Sequence, residues 1–275
     1  MFRSSRSTLV AAIAFTVAAA AVWFAAFRTA AGTRLDATIM TGFVGLRGPR
    51  VDRLADAVAH LADPTPFALA TVAIVTVALV RRRPWLAAMA GVVLIGANVT
   101  TQALKLLTAE PRLASAMIDG HVDAASWPSG HATAAMTMAL CAAVVVPSRW
   151  RALVLAFGGT FTIAVAYSVL VLGWHLPSDV LGGFCVASVW TLLGITAATT
   201  LERRRGPERS PPRSAALGAA VAAAVVVAAG PAGAALARPD GALTYAAANT
   251  SFVVGAAAIG SSVLAIILAI ATTAD

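Results

Sequence analysis

The side chains best suited to chemistry lie in three short polar groups, and one of these groups is built around His175 and Asp179. These residues are four apart, so on a helix the carboxylate reaches one imidazole nitrogen and fixes the tautomer of the ring. The other nitrogen is then free to attack an electrophile. Pro177, between them, suits a first helical turn. The spacing predicts a nucleophilic histidine at a helix start, and a purely structural His–Asp contact is the alternative.

The second group is Trp127-Pro128-Ser129-Gly130-His131, which directly precedes an apolar stretch. Ser129 is a favourable helix N-cap, and Gly130 lets the backbone approach a ligand closely. The free N–H groups of a helix start bind anions, and a histidine in that first turn can give or take a proton beside the anion. Ordinary helix capping next to a surface histidine is the alternative.

Lys105 and Arg112 form the third group, and Lys105 is the only lysine in a chain with 20 Lys and Arg residues. Asn98 and Thr101 precede Lys105 at helical spacing, so one face of this helix is polar where the helix ends. Two cations at this point are suited to neutralising an anion. A lysine that snorkels from an amphipathic helix end is the alternative.

The elements that position these groups are predicted to be membrane helices. Apolar residues make up 59% of the chain and charged residues only 12%, which leaves too little polar surface to cover a water-soluble fold. Eight uncharged stretches have 17 or more residues, the length at which a helix begins to cross the hydrocarbon core. None of them alternates with period two as a barrel strand does. We therefore predict an all-α, polytopic membrane helix bundle with eight transmembrane helices. The stretches are 7–27, 64–80, 84–104, 132–148, 152–174, 180–201, 214–237 and 241–274.

Domain organisation follows from one break in this pattern. Residues 201–213 are charged and proline-rich, so we interpret them as a basic cytoplasmic linker. Residues 1–200 are then a six-helix core, and residues 214–275 form an added C-terminal transmembrane helix pair. Small residues in that pair, such as Gly255 and Gly260, suit close helix packing, which makes a homo-oligomer formed through these helices a hypothesis.

The distribution of arginines predicts the orientation. With the N-terminus in the cytoplasm, the cytoplasmic segments carry 12 basic and three acidic residues, and the outer segments carry eight and nine. Residues 28–63, predicted as an outer loop, depart from this bias with five arginines, although four aspartates accompany them. We expect a multi-pass protein of the plasma membrane with all three polar groups on the extracytoplasmic side. The net charge of +8 is then a topological signal, and no nucleic-acid partner is expected.

Together, the three groups resemble the type 2 phosphatidic acid phosphatase superfamily, whose members share an architecture with the vanadium-dependent haloperoxidases. That family carries Lys-x6-Arg-Pro, then Pro-Ser-Gly-His, then Ser-Arg-x5-His-x3-Asp. The resemblance covers roughly residues 30–200 of this chain. The matching positions are Lys105 to Arg112, Pro128 to His131, and Ser168 followed by His175 and Asp179.

The resemblance implies a membrane lipid phosphate phosphatase. By it, His175 is the nucleophile that becomes phosphohistidine, Asp179 orients His175, and His131 protonates the departing lipid alkoxide. Lys105, Arg112, Ser129 and the backbone of Gly130 hold the phosphate oxygens. The implied partners are the bilayer and a lipid phosphate, either a polyprenyl phosphate or diphosphate, phosphatidic acid or phosphatidylglycerophosphate. No cofactor is implied, and the absence of a cluster of acidic ligands predicts a metal-independent enzyme.

Two positions depart from the family pattern. Val169 stands where the family has arginine, and Leu113 stands where it has proline. Losing one phosphate contact costs about 2–3 kcal/mol of transition-state stabilisation. Three interpretations stay open: an arginine of the outer loop (Arg47, Arg50 or Arg53) replaces it, the substrate brings a different charge distribution, or the enzyme is slow. The alternative is a catalytically impaired family member that acts as a lipid-phosphate binder or membrane partner. The sequence assigns no partner to His60.

Overall fold

The computed structural model describes residues 5–114, 122–203 and 241–273, and within those ranges all regular structure is helical. A single turn of 3₁₀-helix, His60–Ala62, separates the third and fourth α-helices. The α-helices are α1 Ser5–Arg28, α2 Ala30–Val44, α3 Pro49–Ala59, α4 Pro64–Val80, α5 Pro84–Leu107, α6 Gly130–Val145, α7 Ser148–Val171, α8 Pro177–Arg203, α9 Ala242–Ala248 and α10 Thr250–Thr273.

Five of the described helices (α1, α5, α7, α8 and α10) are long and apolar enough to cross a membrane. The pair Pro49–Ala62 and Pro64–Val80, whose axes are bent by 49° relative to each other, is long and apolar enough only when taken together, as a broken sixth span or a re-entrant loop. The predicted all-α membrane bundle is therefore confirmed. The segment 214–237 lies outside the described residues, so the count of eight spans stays a prediction.

Helix α6 lies at the centre of the bundle and packs against α5, α7 and α8. It has 16 residues, nearly all of them buried, and most are Ala, Met, Thr or Val. Small side chains let its neighbours approach closely: a Cβ on Gly158 of α7 would lie only 2.7 Å from the Cβ of Ala139. This helix is buried by protein on all sides and starts with the second polar group of the sequence.

The predicted outer loop 28–63 is largely helical instead. In α2, the buried residues Thr33, Asp36, Met40 and Phe43 recur every three or four positions, which is the period of a helix packed on one face. In α3, Pro49 occupies the first turn, and the charged residues face outward while Ala55 and Ala59 are buried. The sequence prediction was wrong here because charged residues interrupt both segments, although the apolar period continues through them.

The C-terminal stretch 241–274 was predicted as one continuous span, but its helix breaks at Asn249, between α9 and α10. Helix α10 packs on α2, α7 and α8. The rings of Phe252 and Phe43 meet edge to face with centroids 4.9 Å apart. Gly255 is pressed against Ile39, where a Cβ would lie 2.5 Å from the isoleucine side chain. Gly255 therefore serves packing within the chain.

Arginines surround the end of α6 that lies away from the polar groups. Arg81 donates a hydrogen bond to the carbonyl of Val145, and Arg151 donates to the carbonyl of Ala143 over 3.2 Å. The last carbonyls of a helix carry partial negative charge and lack helical partners, so cations stabilise this end. The two ends of α6 thus differ in chemistry: arginines cover one end, and the other begins at Ser129.

Candidate active site

The first and second polar groups of the sequence, around His175 and around His131, meet at the start of α6. The rings of His131 and His175 lie 6.1 Å apart, centroid to centroid. The backbone N–H of Ser129 donates to the carbonyl of Asp179 over 2.9 Å, which joins the two groups directly. Residues about 45 positions apart in the chain therefore face one small volume.

Two glycines of α8 allow this approach. A Cβ on Gly183 would lie 2.7 Å from the carbonyl oxygen of Ser129, and one on Gly182 would lie 2.6 Å from Nε1 of Trp127. Neither distance is tolerated by real side chains, so only glycine permits the start of α6 to rest on α8. The sequence analysis did not single out these residues, although two adjacent glycines within a helix indicate close packing.

Ser129 is the N-cap of α6, as its sequence position predicted. Its hydroxyl accepts a hydrogen bond from the N–H of Ala132 over 3.3 Å, and the residue is fully buried. The predicted phosphate contact of this hydroxyl therefore competes with a capping bond. Gly130, next along the chain, opens the helix, and a Cβ added to it would have only the amide nitrogen of Gln102 nearby, at 3.7 Å. Both residues lie beside His131, where the prediction put them.

His175 and Asp179 face each other on the first turn of α8. Nδ1 of His175 lies 3.5 Å from Oδ2 of Asp179 and has no hydrogen bond within the described part of the chain. Asp179 is held from other directions, because its Oδ2 accepts from the N–H of Leu176 over 2.8 Å. With Nδ1 turned towards the carboxylate, Nε2 is the nitrogen on the open side of the ring.

Arg112, predicted as a phosphate ligand, is paired with carboxylates in the structure. Its guanidinium donates to Asp179, to Asp36 over 3.0 Å and to the hydroxyl of Ser178 over 2.9 Å. It also lies 4.0 Å above the ring of Phe27. The side chain is 1% exposed, so the described contacts direct this cation to two carboxylates. Its role as a phosphate ligand stays a prediction.

Asp36 of α2 is a site residue that the sequence analysis missed. Its two oxygens accept from the N–H of Ser178 over 3.0 Å and from the Ser178 hydroxyl over 2.5 Å. Burial raises the pKa of Asp36 to about 6. The available signal was a carboxylate on the apolar face of an amphipathic segment, since such a residue needs a buried partner.

Asp63 is a second missed residue. Its Oδ1 lies 3.1 Å from Nε2 of His131. The His131 ring is also 5.5 Å from the ring of Trp174. Burial and the nearby His175 lower the pKa of His131, whereas the bond to Asp63 raises it. His131 precedes the apolar segment 132–148 and lies in the first turn of α6.

The prediction that His60 has no partner was wrong. Its Nδ1 lies 2.7 Å from the carbonyl oxygen of Asp56, and its Nε2 lies 3.8 Å from Oδ2 of Asp63. Both aspartates are within four residues of His60, a spacing that brings side chains together on consecutive helical turns. His60 also meets Trp174 edge to face, with centroids 5.7 Å apart.

Lys105 lies at the C-terminal end of α5 and belongs to the same site. It interacts electrostatically with Asp179 and with His131. It has no hydrogen bond or ion pair with any other described residue, in contrast to Arg112. Strongly exposed apolar side chains stand beside these two cations: Leu106, Leu107 and Leu113 are 80%, 80% and 70% exposed.

Val169 is fully buried in the last turns of α7, and its carbonyl accepts from the N–H of Trp174 over 2.9 Å. Two of the arginines expected to replace the family arginine have local partners. Arg47 pairs with Asp52 over 3.5 Å, and Nε of Arg53 donates to the carbonyl of Pro49 over 3.0 Å. Both contacts are with residues of α3, and substitution by Arg47, Arg50 or Arg53 stays a prediction.

Within residues 5–114, 122–203 and 241–273, no group of three or more His, Cys, Asp or Glu side chains is arranged to hold a metal ion.

Comparisons with known proteins agree with the motif resemblance. Residues 85–203 match the model of the PAP2 superfamily. The fold is similar to the crystal structure of a transmembrane PAP2-type phosphatidylglycerolphosphate phosphatase from Bacillus subtilis, with a TM-score of 0.57 and 22% sequence identity. That likeness covers 74% of this chain and 99% of the Bacillus chain. A search of curated proteins gave no match.

Proposed function

Because residues 85–203 match the model of the PAP2 superfamily, we propose that this multi-pass membrane protein hydrolyses lipid phosphates through a phosphohistidine intermediate. The substrate is a phosphomonoester or diphosphate of a lipid: a polyprenyl phosphate or diphosphate, phosphatidic acid or phosphatidylglycerophosphate. The observation that carries the proposal is the 6.1 Å separation of the His131 and His175 rings, with Asp179 behind His175.

In the first half of the reaction, Nε2 of His175 attacks phosphorus, and the bond between phosphorus and the lipid oxygen breaks. The bonding pair leaves with the lipid oxygen, which takes a proton from the His131 imidazolium. Asp179 holds the Nδ1 side of His175 and stabilises the positive charge that develops on the ring. This geometry supports one histidine as nucleophile and the other as acid.

In the second half, water attacks the phosphorus of phosphohistidine. His131, now neutral, takes a proton from that water, and the P–N bond breaks to release inorganic phosphate. Both histidines return to their initial protonation states, so the cycle needs no redox partner or second substrate.

Charge neutralisation is the main demand of phosphoryl transfer. Lys105 is the cation best placed to meet it, because it has no ion pair among the described residues and interacts with both Asp179 and His131. The N-terminus of α6 adds N–H groups and the positive end of a helix dipole. We propose that these groups, together with Arg112 when it leaves its carboxylates, bind the phosphate without a metal ion.

The surroundings of the site support a lipid rather than a soluble phosphate. Leu106, Leu107 and Leu113 extend away from the bundle next to Lys105 and Arg112. A substrate approaching laterally from the bilayer keeps its chains on these leucines while its phosphate reaches the cations. The arginine distribution of the sequence supports an extracytoplasmic site in the plasma membrane.

A second candidate function is a lipid-phosphate binder with little catalytic power. Two observations favour it: Val169 replaces the family arginine, and Arg112 is already paired with two carboxylates. The chain then has fewer free cations than phosphoryl transfer in this family employs. The presence of His131, His175 and Asp179 in one site favours the enzyme.

The test is phosphate release by the purified protein from vesicles that contain each candidate lipid phosphate, with EDTA present. We expect release that is lost in His175→Ala and strongly reduced in Asp179→Asn. Asp56→Asn, which removes an exposed carboxylate from α3, is the matched control and retains activity. No release from any lipid, together with saturable binding, would favour the binder; release that requires a divalent cation would contradict the metal-independent mechanism.

A further inference from the structure

Asp63 lies at the bend between α3 and α4, where the helix axis turns by 49°. Its backbone has the extended conformation of a helix N-cap, with φ of −66° and ψ of 163°. Its side chain makes no capping hydrogen bond. The carboxylate points instead to Nε2 of His131, 3.1 Å away.

The sequence that follows Asp63 limits the capping bonds that its carboxylate can make. An N-cap side chain normally accepts from the N–H of the second or third helical residue. Here the third helical residue, Pro66, has no N–H to donate, and the side chain makes no capping bond with the N–H of the second residue, Thr65. The N–H of Phe67 is already bonded to the carbonyl of Asp63 over 2.9 Å. The first turn of α4 thus leaves the Asp63 carboxylate available to a partner from another helix.

We propose that Asp63 is a positioning residue for His131: it accepts the Nε2–H of the imidazole, fixes the ring, and favours the imidazolium whose transferable proton is on Nδ1. The inference rests on the proposed function, in which His131 gives a proton to the departing lipid oxygen and later takes one from water. Since a carboxylate on Nε2 holds that proton in both steps, the proton is exchanged at Nδ1.

The charges around His131 show why such a residue is needed. Burial, His175 and Lys105 all lower the pKa of His131. Among the described residues, Asp63 is the group that opposes them, through both its hydrogen bond and its charge. Without Asp63, an imidazole between a lysine and a second histidine loses its proton at a lower pH. A smaller fraction of His131 is then protonated at neutral pH and able to act as the acid.

Asp63 also has a neighbour on its other oxygen. Nε2 of His60 lies 3.8 Å from Oδ2, and the His60 side chain is 52% exposed. The ring of Trp174 contacts both histidines, at 5.7 Å from His60 and 5.5 Å from His131. A protonated His60 therefore competes for Asp63 at acidic pH. The Asp56 carbonyl and carboxylate hold the opposite side of that ring.

The direct test is a nitrogen NMR titration of the full chain in detergent with labelled histidine. The chain has four histidines, and His131→Asn assigns the signal of interest. We expect neutral His131 to be the Nε2–H tautomer, and Asp63→Asn to lower its pKa by about one unit, because an opposite charge at hydrogen-bond distance is removed. Asp63→Glu restores most of that shift.

Asp56→Asn is the matched control, because it removes a carboxylate that contacts His60 but has no contact with His131 among the described residues. We expect the pKa of His131 to be unchanged in this variant. A His131 pKa that is the same in Asp63→Asn as in the parent would overturn the proposal. So would a neutral His131 that carries its proton on Nδ1. If Asp63→Asn does not fold, the tautomer of the parent chain and the Asp63→Glu titration still decide.

Kinetics provide the second readout. For an enzyme that uses His131 as an acid, Asp63→Asn moves the alkaline limb of kcat to lower pH by about one unit, with KM changed less than about twofold. At pH values above both limbs the rate falls about tenfold. A pKa shift in a chain that releases no phosphate would retain the Asp63–His131 pair and reject the phosphatase. Normal activity with an unshifted pKa would retain the phosphatase and reject the proposed role of Asp63.

Discussion

Arg112 and Asp179 form an ion pair in which the side chains are 1% and 0% exposed. The two oxygens of the Asp179 carboxylate have different partners. One accepts from Arg112, and the other accepts from the N–H of Leu176 and faces His175. Asp36 holds the second guanidinium nitrogen over 3.0 Å. The orientation of Asp179 towards His175 is thus fixed by a buried network of two carboxylates around one cation.

Replacing Arg112 by alanine is expected to destabilise the protein by about 3–5 kcal/mol, because two buried carboxylates lose their counter-charge. Unfolding by denaturant in detergent measures this. The matched control is Arg28→Ala, which removes an exposed pair with Glu110 at 3.1 Å and is expected to cost less than about 1 kcal/mol. Equal destabilisation by the two variants would show that the buried network does not support the fold.

Gly183→Ala is expected to lower both stability and kcat. Its new Cβ would lie 2.7 Å from the carbonyl oxygen of Ser129, so the start of α6 must move and carry His131 with it. Overpacking of this kind costs about 1–3 kcal/mol. Gly91→Ala is the control, since its Cβ would meet only a side-chain carbon of Val75 at 3.9 Å. A Gly183→Ala enzyme with parental kcat would argue against a fixed spacing between His131 and α8.

The three polar groups were predictable from sequence because each is local. A histidine and an aspartate four apart, or a serine and a glycine before an apolar run, define their geometry within one or two helical turns. The apolar stretches that carry them were equally visible. The sequence also predicted that His131 and His175 lie near each other, because the alternation of spans places all three groups on the same side of the membrane.

The carboxylates that complete the site were not predictable in this way. Asp36 bonds to Ser178, 142 residues away, and nothing within the sequence near Asp36 identifies that partner. Asp63 lies at the bend between α3 and α4 and bonds to His131, 68 residues away. The contacts of Arg112 were not predictable for the same reason. The motif identified Arg112, but its partners are carboxylates that only the folded chain brings to it.

Val169→Arg is expected to raise kcat/KM by as much as about 100-fold, since one guanidinium contact to a phosphate contributes about 2–3 kcal/mol. Stability is expected to fall, because Val169 is fully buried and a longer charged side chain must displace its neighbours. Val169→Met controls for bulk and is expected to lose stability without a gain in rate. An unchanged rate in a folded Val169→Arg protein would show that Lys105 and the helix terminus already suffice.

The central claim is that His175 takes the phosphoryl group, and trapping the intermediate tests it most directly. The protein is mixed with a lipid phosphate, quenched in alkali within a turnover and analysed by mass spectrometry of its peptides. We predict a phosphoryl group on His175 that is absent in His175→Asn. Continued turnover in His175→Asn, or a phosphoryl group on any other residue, would contradict the account.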